Sequence, residues 1–251
     1  MRKWAGFVGG ALLVIAALAP IAAAQTPAAP AQAPLTIDDI VAKHALAKGG
    51  MEKWKSIQTQ KMTGTASAQG FELAMTVYGK RPNLARQELK LEVPGQPTVT
   101  IVTLFDGTKA WEINPTRGTD APREVPQPDT ATAKVQSDFD GPLLDYKAKG
   151  FAVELLQPAT VAKKQAHHLK VTRADVPTQH YYLDPDSFVE LKITVEGANG
   201  SDTELSDYRA IEGVMVPHAI KIMQGGVVQA DLKILTVEFN VPLEDALFRV
   251  K

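Results

Sequence analysis

Between Phe71 and Phe105 apolar residues recur at every second position, and this period of two constrains the fold more than any other feature of the chain. Phe71, Leu73, Met75 and Val77 alternate with Glu72, Ala74, Thr76 and Tyr78. Leu89, Leu91 and Val93 alternate with Glu88, Lys90 and Glu92, and Val99, Ile101, Thr103 and Phe105 follow the same rule. Successive side chains of a strand point to opposite faces, so each stretch predicts a strand with one buried and one wet face. Gln69-Gly70, Arg81-Pro82-Asn83, Pro94-Gly95-Gln96 and Asp106-Gly107 separate the strands. Links this short exclude the long crossover of a parallel pair and predict antiparallel neighbours. The pattern resumes at Phe151 and runs to Phe239, with breaks such as Asp184-Pro185-Asp186 and Gly225-Gly226. About eleven strands are expected, which makes the chain mainly β, as a sheet or barrel.

Two stretches depart from this period. Thr36 with Asp39 three residues later is a helix start, and Leu35 and Ile40 are placed to staple it. Ile37, Ile40, Val41, His44 and Ala45 share one face at helical spacing, and Gly49-Gly50 stops the helix. Met51 to Lys55 adds a turn that presents Trp54 to the core. The second stretch, Pro126 to Gly150, interrupts the β pattern with a helical segment at Thr130–Ser137 and the apolar residues Phe139, Leu143, Leu144 and Tyr146. Its natural dock is the open end or concave face of the sheet.

The N-terminus has Arg2 and Lys3, an uncharged run from Phe7 to Ala19, and Ala22-Ala23-Ala24 before Gln25. This is the pattern of a signal peptide, residues 1–24. Residues 25–34 (QTPAAPAQAP) read as a flexible Ala/Pro spacer, and 35–251 as a single domain. Cleavage leaves 251 − 24 = 227 residues with a formal charge of 25 − 28 = −3. No basic patch suggests nucleic acid. The absence of cysteine excludes disulfides, thiolate metal sites and the lipid-bearing cysteine of a lipoprotein, so a soluble mature protein is expected.

The densest polar cluster is HYYLDPDSFVELKI, His180–Ile193. Asp184-Pro185-Asp186-Ser187 reads as a turn between two strands, with the carboxylates toward solvent rather than paired as acid and base. His180 and Tyr182 share one strand face and Tyr181 the other, so the cluster does not converge. Phe188–Val195 reads as the next strand, with Val189, Leu191, Ile193 and Val195 on one face. His167-His168 diverge across a strand, and His44 reads as a packed residue rather than a ligand. The mature chain has no nucleophile elbow, phosphate loop, zinc-protease helix or dinucleotide fingerprint. No catalytic residue, metal or cofactor is therefore assigned, and the chain reads as a non-enzyme.

Hydrophobicity alone does not separate a packed core from a lined cavity. YGKRPNLAR (Tyr78–Arg86) and FDGTKAWEINP (Phe105–Pro115) resemble, in order and spacing, the K-R-P-N and D-G-K-x-x-W-x-x-N-P segments of LolA-like periplasmic lipoprotein carriers. His44–Gly64, Asp138–Gly150, YYLDPDSF and Tyr208–Ile220 resemble the longer branch of outer-membrane lipoprotein-sorting proteins. The resemblance implies an unclosed antiparallel barrel with an N-terminal helix and a helical lid over an apolar cavity. It also implies a gating role for Arg81, the arginine that holds the lid in such carriers. Leu73, Met75, Val77, Leu89, Leu91 and Ile101 are expected cavity wall, with Phe105, Trp111, Phe139, Leu143 and Leu144. The implied function is a monomeric periplasmic carrier in a Gram-negative-type envelope. It would shuttle lipoprotein acyl chains or lipid from an inner-membrane donor to an outer-membrane acceptor. The alternative is an envelope scaffold with a filled barrel.

Overall fold

A computed structural model describes residues 35–68, 70–126, 129–198 and 200–250. The expected signal peptide and spacer lie outside the described residues. Two helices come first, α1 (Ile37–Ala47) and α2 (Met51–Ser56). Six strands follow: β1 (Thr59–Ala68), β2 (Phe71–Lys80), β3 (Leu84–Leu91), β4 (Val99–Phe105), β5 (Ala110–Asn114) and β6 (Thr119–Glu124). After α3 (Asp129–Ser137) come β7 (Ala152–Val161), β8 (Lys164–Arg173), β9 (Val176–Leu183) and β10 (Glu190–Val195). The chain closes with β11 (Ser201–Ile211), β12 (Val214–Gln224) and β13 (Val227–Phe239).

The described residues thus form thirteen strands rather than about eleven, in one antiparallel, unclosed sheet ordered β6-β5-β4-β3-β2-β1-β13-β12-β11-β10-β9-β8-β7. Two meanders meet where β1 pairs with β13, and β6 and β7 become the two edges. These edge strands are consecutive in the chain, so residues 125–151 must pass from one limb of the sheet to the other. α3 does so, touching β4 and β5 on one limb and β9 on the other.

The seam between the limbs tolerates no side chain at Gly64. The β1–β13 register shifts between Thr63 and Gly64, and a Cβ on Gly64 would lie 2.0 Å from the Lys233 carbonyl oxygen. Gly49, at φ 113°, is held in the same way against the Gly213 carbonyl, where the end of α1 meets the β11–β12 turn. The start of α1 forms the predicted capping box. The Asp39 amide donates to Thr36 Oγ1 (3.2 Å) and the Thr36 amide to the Asp39 carboxylate (3.0 Å).

Inside the β7–β10 limb, Ile40 of α1 packs with Leu143, Leu169, Val171 and Leu183, all at most 2% exposed. A buried polar cluster fixes the other end of the helix. Glu190 receives Lys48 Nζ at 3.3 Å and the Tyr208 hydroxyl at 3.1 Å, with His44 Nε2 at 3.6 Å. His44 Nδ1 lies 2.9 Å from the Phe188 carbonyl, so it carries the proton. His44 is thus packed, as expected, but its carboxylate partner was not foreseen. The predicted alternation failed at this point. Phe188 sits at φ 59°, β10 starts only at Glu190, and a register shift between Glu190 and Lys192 turns Glu190 inward.

The expectation of one wet face also fails on β4, because Val102 and Leu104 are as buried as Phe105. The chain beyond β13 lies against the neighbouring strands β2 and β3 on that face. Phe248 is 1% exposed, Arg86 Nη1 donates to the Leu247 carbonyl, and Lys80 Nζ donates to the Leu243 carbonyl and pairs with Asp245 at 2.7 Å.

Two outcomes follow from these contacts. Gly64→Ala is expected to lower stability by about 1–3 kcal/mol, because backbone rather than a flexible side chain must yield. A urea midpoint equal to wild type would contradict the seam geometry. Burial works to raise the Glu190 carboxyl, but Lys48 and then His44 outweigh it and hold it down to about 2; burial keeps His44 below its usual 6.5. Both groups bind fewer protons folded than unfolded. The Glu190 contribution is therefore complete above about pH 4.5 and lost as pH falls toward 2, while that of His44 declines below about pH 6.5. Glu190→Gln leaves Lys48 without a counter-charge and is expected to cost about 3 kcal/mol at neutral pH. Urea titrations across these pH values should show a flatter acid loss in the variant; parallel curves would contradict the assignment.

Candidate functional site

The crossing segment is fastened at one point by charge. Arg81 lies in the turn between β2 and β3, and its fork reaches two structures at once. Nε donates to the Ile57 carbonyl (2.6 Å) and Nη2 to the Trp54 carbonyl (2.8 Å), at the end of α2. Nη1 and Nη2 also take both oxygens of Asp140, at 2.8 and 2.5 Å, just after α3. Phe139 lies beneath the guanidinium, 4.5 Å from ring centroid to Cζ. The bidentate pair raises the arginine further above its already high range, against burial, so it is charged at every accessible pH. Lys149 backs the same turn, with Asp138 at 2.6 Å and the Gly141 carbonyl at 2.8 Å.

Packing divides the segment into a firm part and a loose part. Leu143 joins the cluster around Ile40, and Leu144 joins Ala45, Trp54, Val214 and Val216; each is 2% exposed. Burial of a leucine contributes roughly 1.5–3 kcal/mol, so this pair anchors residues 142–150 firmly. α3 has far less to hold it. Val135 and Ser137 are its buried residues, Val135 within the cluster around Ile40 and Leu143, and the rest of its length is aspartate, alanine, threonine, lysine and glutamine. The Thr130 hydroxyl tethers its first turn to the Val125 carbonyl.

Two clefts flank α3. One, of about 380 Å³, lies between the helix and the β2–β5 limb, lined by Val77, Phe105, Ala110, Trp111, Val125 and Ala133 among others. The other, of about 440 Å³, lies between α3, the Arg81 turn and the start of β7, and carries Lys134, Lys149 and Arg173 as well as Arg81. Both fall in the size range of small-ligand pockets.

The residues expected to wall one cavity are distributed among several places. Val77, Phe105 and Trp111 meet at the first cleft. Leu73 and Met75 are buried on the same strand face as Val77, while Leu89, Leu91 and Ile101 continue that face half-exposed beyond the cleft. Trp111 touches the cleft only at its margin: it pairs with Leu104, so its side chain lies on the other face of the sheet from Val77 and Phe105, with Nε1 donating to Asp106 at 2.8 Å. Leu143 and Leu144 are in the packed clusters, and Phe139 is under Arg81. The expected single apolar space is therefore corrected: α1 and Leu143 fill the β7–β10 limb, Leu144 packs with α2 against β12 and β13, and space remains beside α3.

The His180–Ile193 stretch is a turn with structural struts. Asp184 does not face solvent, as expected from the proline turn, but is 4% exposed. It accepts the Asp186 and Ser187 amides at 2.9 and 3.0 Å and Lys164 Nζ at 2.6 Å. Burial opposes, but these donors hold its carboxyl down to about 2, so it has no proton to give near neutral pH. Asp186 is the exposed member of the pair. His167 and His168 do diverge: His167 stacks on Phe188, whereas His168 Nε2 meets His180 Nδ1 at 2.8 Å. His180 Nε2 continues to Glu196 at 2.7 Å. Among the described residues no group of three or more His, Cys, Asp or Glu side chains is placed to hold a metal. None of the described helices is long and apolar enough to cross a membrane.

No family model matches the chain, and no curated protein sequence does. Solved structures do. A DUF1329 family protein from Desulfovibrio piger superposes with a TM-score of 0.56 at 11% identity, over 85% of this chain and 97% of its own. An outer membrane lipoprotein-sorting protein domain from Vibrio parahaemolyticus gives 0.54 at 12%, over 84% and 95%. A LolA superfamily protein from Nitrosomonas europaea gives 0.56 at 14%, over 86% and 99%. The long antiparallel sheet left unclosed, with helices laid into it, is thus a LolA-like fold.

Proposed function

We propose that the protein is a soluble periplasmic carrier that binds the acyl chains of lipoproteins or lipids beside α3 and moves them toward the outer membrane. The observation that carries this reading is a helix with one buried aliphatic side chain lying across an apolar strand face, with the bidentate Arg81–Asp140 pair joining the segment just after it to the β2–β3 turn. Lifting α3 would join the cleft at Val77 and Phe105 to the half-exposed face formed by Leu89, Leu91 and Ile101. Each methylene laid there contributes about 0.8 kcal/mol, so the length of chain covered tunes affinity without a deep, irreversible pocket. Arg81 is assigned as the latch of the closed state. The similarity to a lipoprotein-sorting domain supports this cargo class, and transfer requires no covalent step and no cofactor. A membrane donor and an outer-membrane acceptor are its expected partners.

The filled β7–β10 limb favours a second reading, an envelope scaffold that never opens. Native purification followed by lipid mass spectrometry separates the two. The carrier reading expects copurified acyl lipid and displacement of a fluorescent fatty acid by a lipopeptide; absence of both favours the scaffold. Arg81→Leu removes four hydrogen bonds at once and is expected to keep the fold while changing lipopeptide affinity by about tenfold or more, as loss of a charged bidentate pair implies. Equal affinity and release rate in wild type and variant would remove Arg81 from the mechanism.

A further inference from the structure

The cationic cleft on the far side of α3 has no role in holding acyl chains, yet it is as large as the apolar one. Its wall brings together four cations, Arg81, Lys134, Lys149 and Arg173, above a floor of Val135 and Phe151. The carboxylates that answer them are Asp138 and Asp140 in the wall and Asp175, which pairs with Arg173 at 2.5 Å. Four positive groups therefore face three negative ones. The surplus is Lys134, exposed on α3, which has no carboxylate within ion-pair distance among the described residues. Arg173 is further fixed over the Phe151 ring at 4.2 Å and donates to the Lys149 carbonyl, so the cationic wall is preformed.

Resting on the carrier reading, we propose that this cleft receives the phosphate diester of an anionic acyl lipid, and that this phosphate opens the latch. A phosphate diester offers two non-bridging oxygens in the bidentate spacing that Asp140 now presents to Arg81. It can therefore take the guanidinium from Asp140 while gaining Lys134 and Lys149. Asp140 keeps the Lys149 side of the turn, and the segment after α3 loses its link to the β2–β3 turn. The helix itself relates the two clefts: Lys134 and Val135 line the cationic one, Ala133 and Gln136 the apolar one. An amphiphile whose head lies at Lys134 has its chains directed to the Val77–Phe105 cleft across a single turn of helix. The cargo is thereby selected by charge at the head as well as by length of chain.

The test uses the full mature chain and short-chain, monomeric ligands in calorimetry. Dihexanoyl phosphatidylglycerol supplies head and chains, dihexanoylglycerol chains alone, and inorganic phosphate the anion alone. The anionic lipid is expected to bind about tenfold tighter than the uncharged one, and to weaken as salt rises. Lys134→Ala, a substitution on an exposed helix surface, is expected to remove most of that preference and leave dihexanoylglycerol unchanged. Inorganic phosphate is expected to compete with the lipid only at much higher concentration. Equal affinity for charged and uncharged lipids, or an unchanged preference in Lys134→Ala, overturns the headgroup site and leaves the carrier reading standing. Binding of phosphate without either lipid overturns the lipid assignment of this cleft and the carrier reading together, as does the binding of none of the three.

Discussion

Two edge strands that are neighbours in sequence lie at opposite ends of the sheet, and this constraint shapes everything else. A thirteen-stranded antiparallel sheet that curls without closing leaves its edges apart. The chain between β6 and β7 must travel across the opening, so a cover is a consequence of strand order. The order follows from one pairing, β1 with β13, where Gly64 allows two backbones to meet at a register shift that a methyl group would block.

Energy is unevenly spread over that cover. Leu143 and Leu144 are buried in two separate clusters with α1 and α2, whose position is set by the capping box and by the Glu190–Lys48 pair. α3 buries one aliphatic side chain and is otherwise polar or small. The same segment therefore contains an anchor and a loose flap, with the Arg81–Asp140 fork at the boundary between them. Opening α3 would withdraw Val135 from the Ile40–Leu143 cluster but leave Leu143 and Leu144 in place, so under the proposed mechanism a change at Arg81 alters binding without unfolding the sheet.

Much of this was legible in the sequence. The period of two and the short polar turns identified an antiparallel, mainly β chain, and Thr36, Asp39 and the Gly49-Gly50 pair marked the first helix. The run from Pro126 to Gly150 stood out because it broke the pattern, and the YGKRPNLAR segment singled out Arg81. What escaped was set by tertiary geometry. A left-handed Phe188 and a register shift turned Glu190 inward, which no alternation rule registers. Lys164, on a neighbouring hairpin, drew Asp184 into a buried turn that proline chemistry alone would leave in water. Val102 and Leu104 read as the wet side of β4 because the segment that docks on that face beside them, reached by Arg86 at the Leu247 carbonyl, lies some 140 positions later. Lys134 and Arg173 gave no local signal, since the cleft they share exists only once β6 and β7 are bridged.

In the proposed carrier α3 is a removable cover on a sheet that otherwise stays put. Hydrogen–deuterium exchange, resolved by segment, with and without saturating lipopeptide, measures this directly. Exchange in α3 and around Asp138–Asp140 is expected to quicken with ligand, while β8, β9 and the Leu143–Leu144 segment keep their protection. Bound ligand with unchanged α3 protection, or loss of protection through β8 and β9 as well, would contradict it.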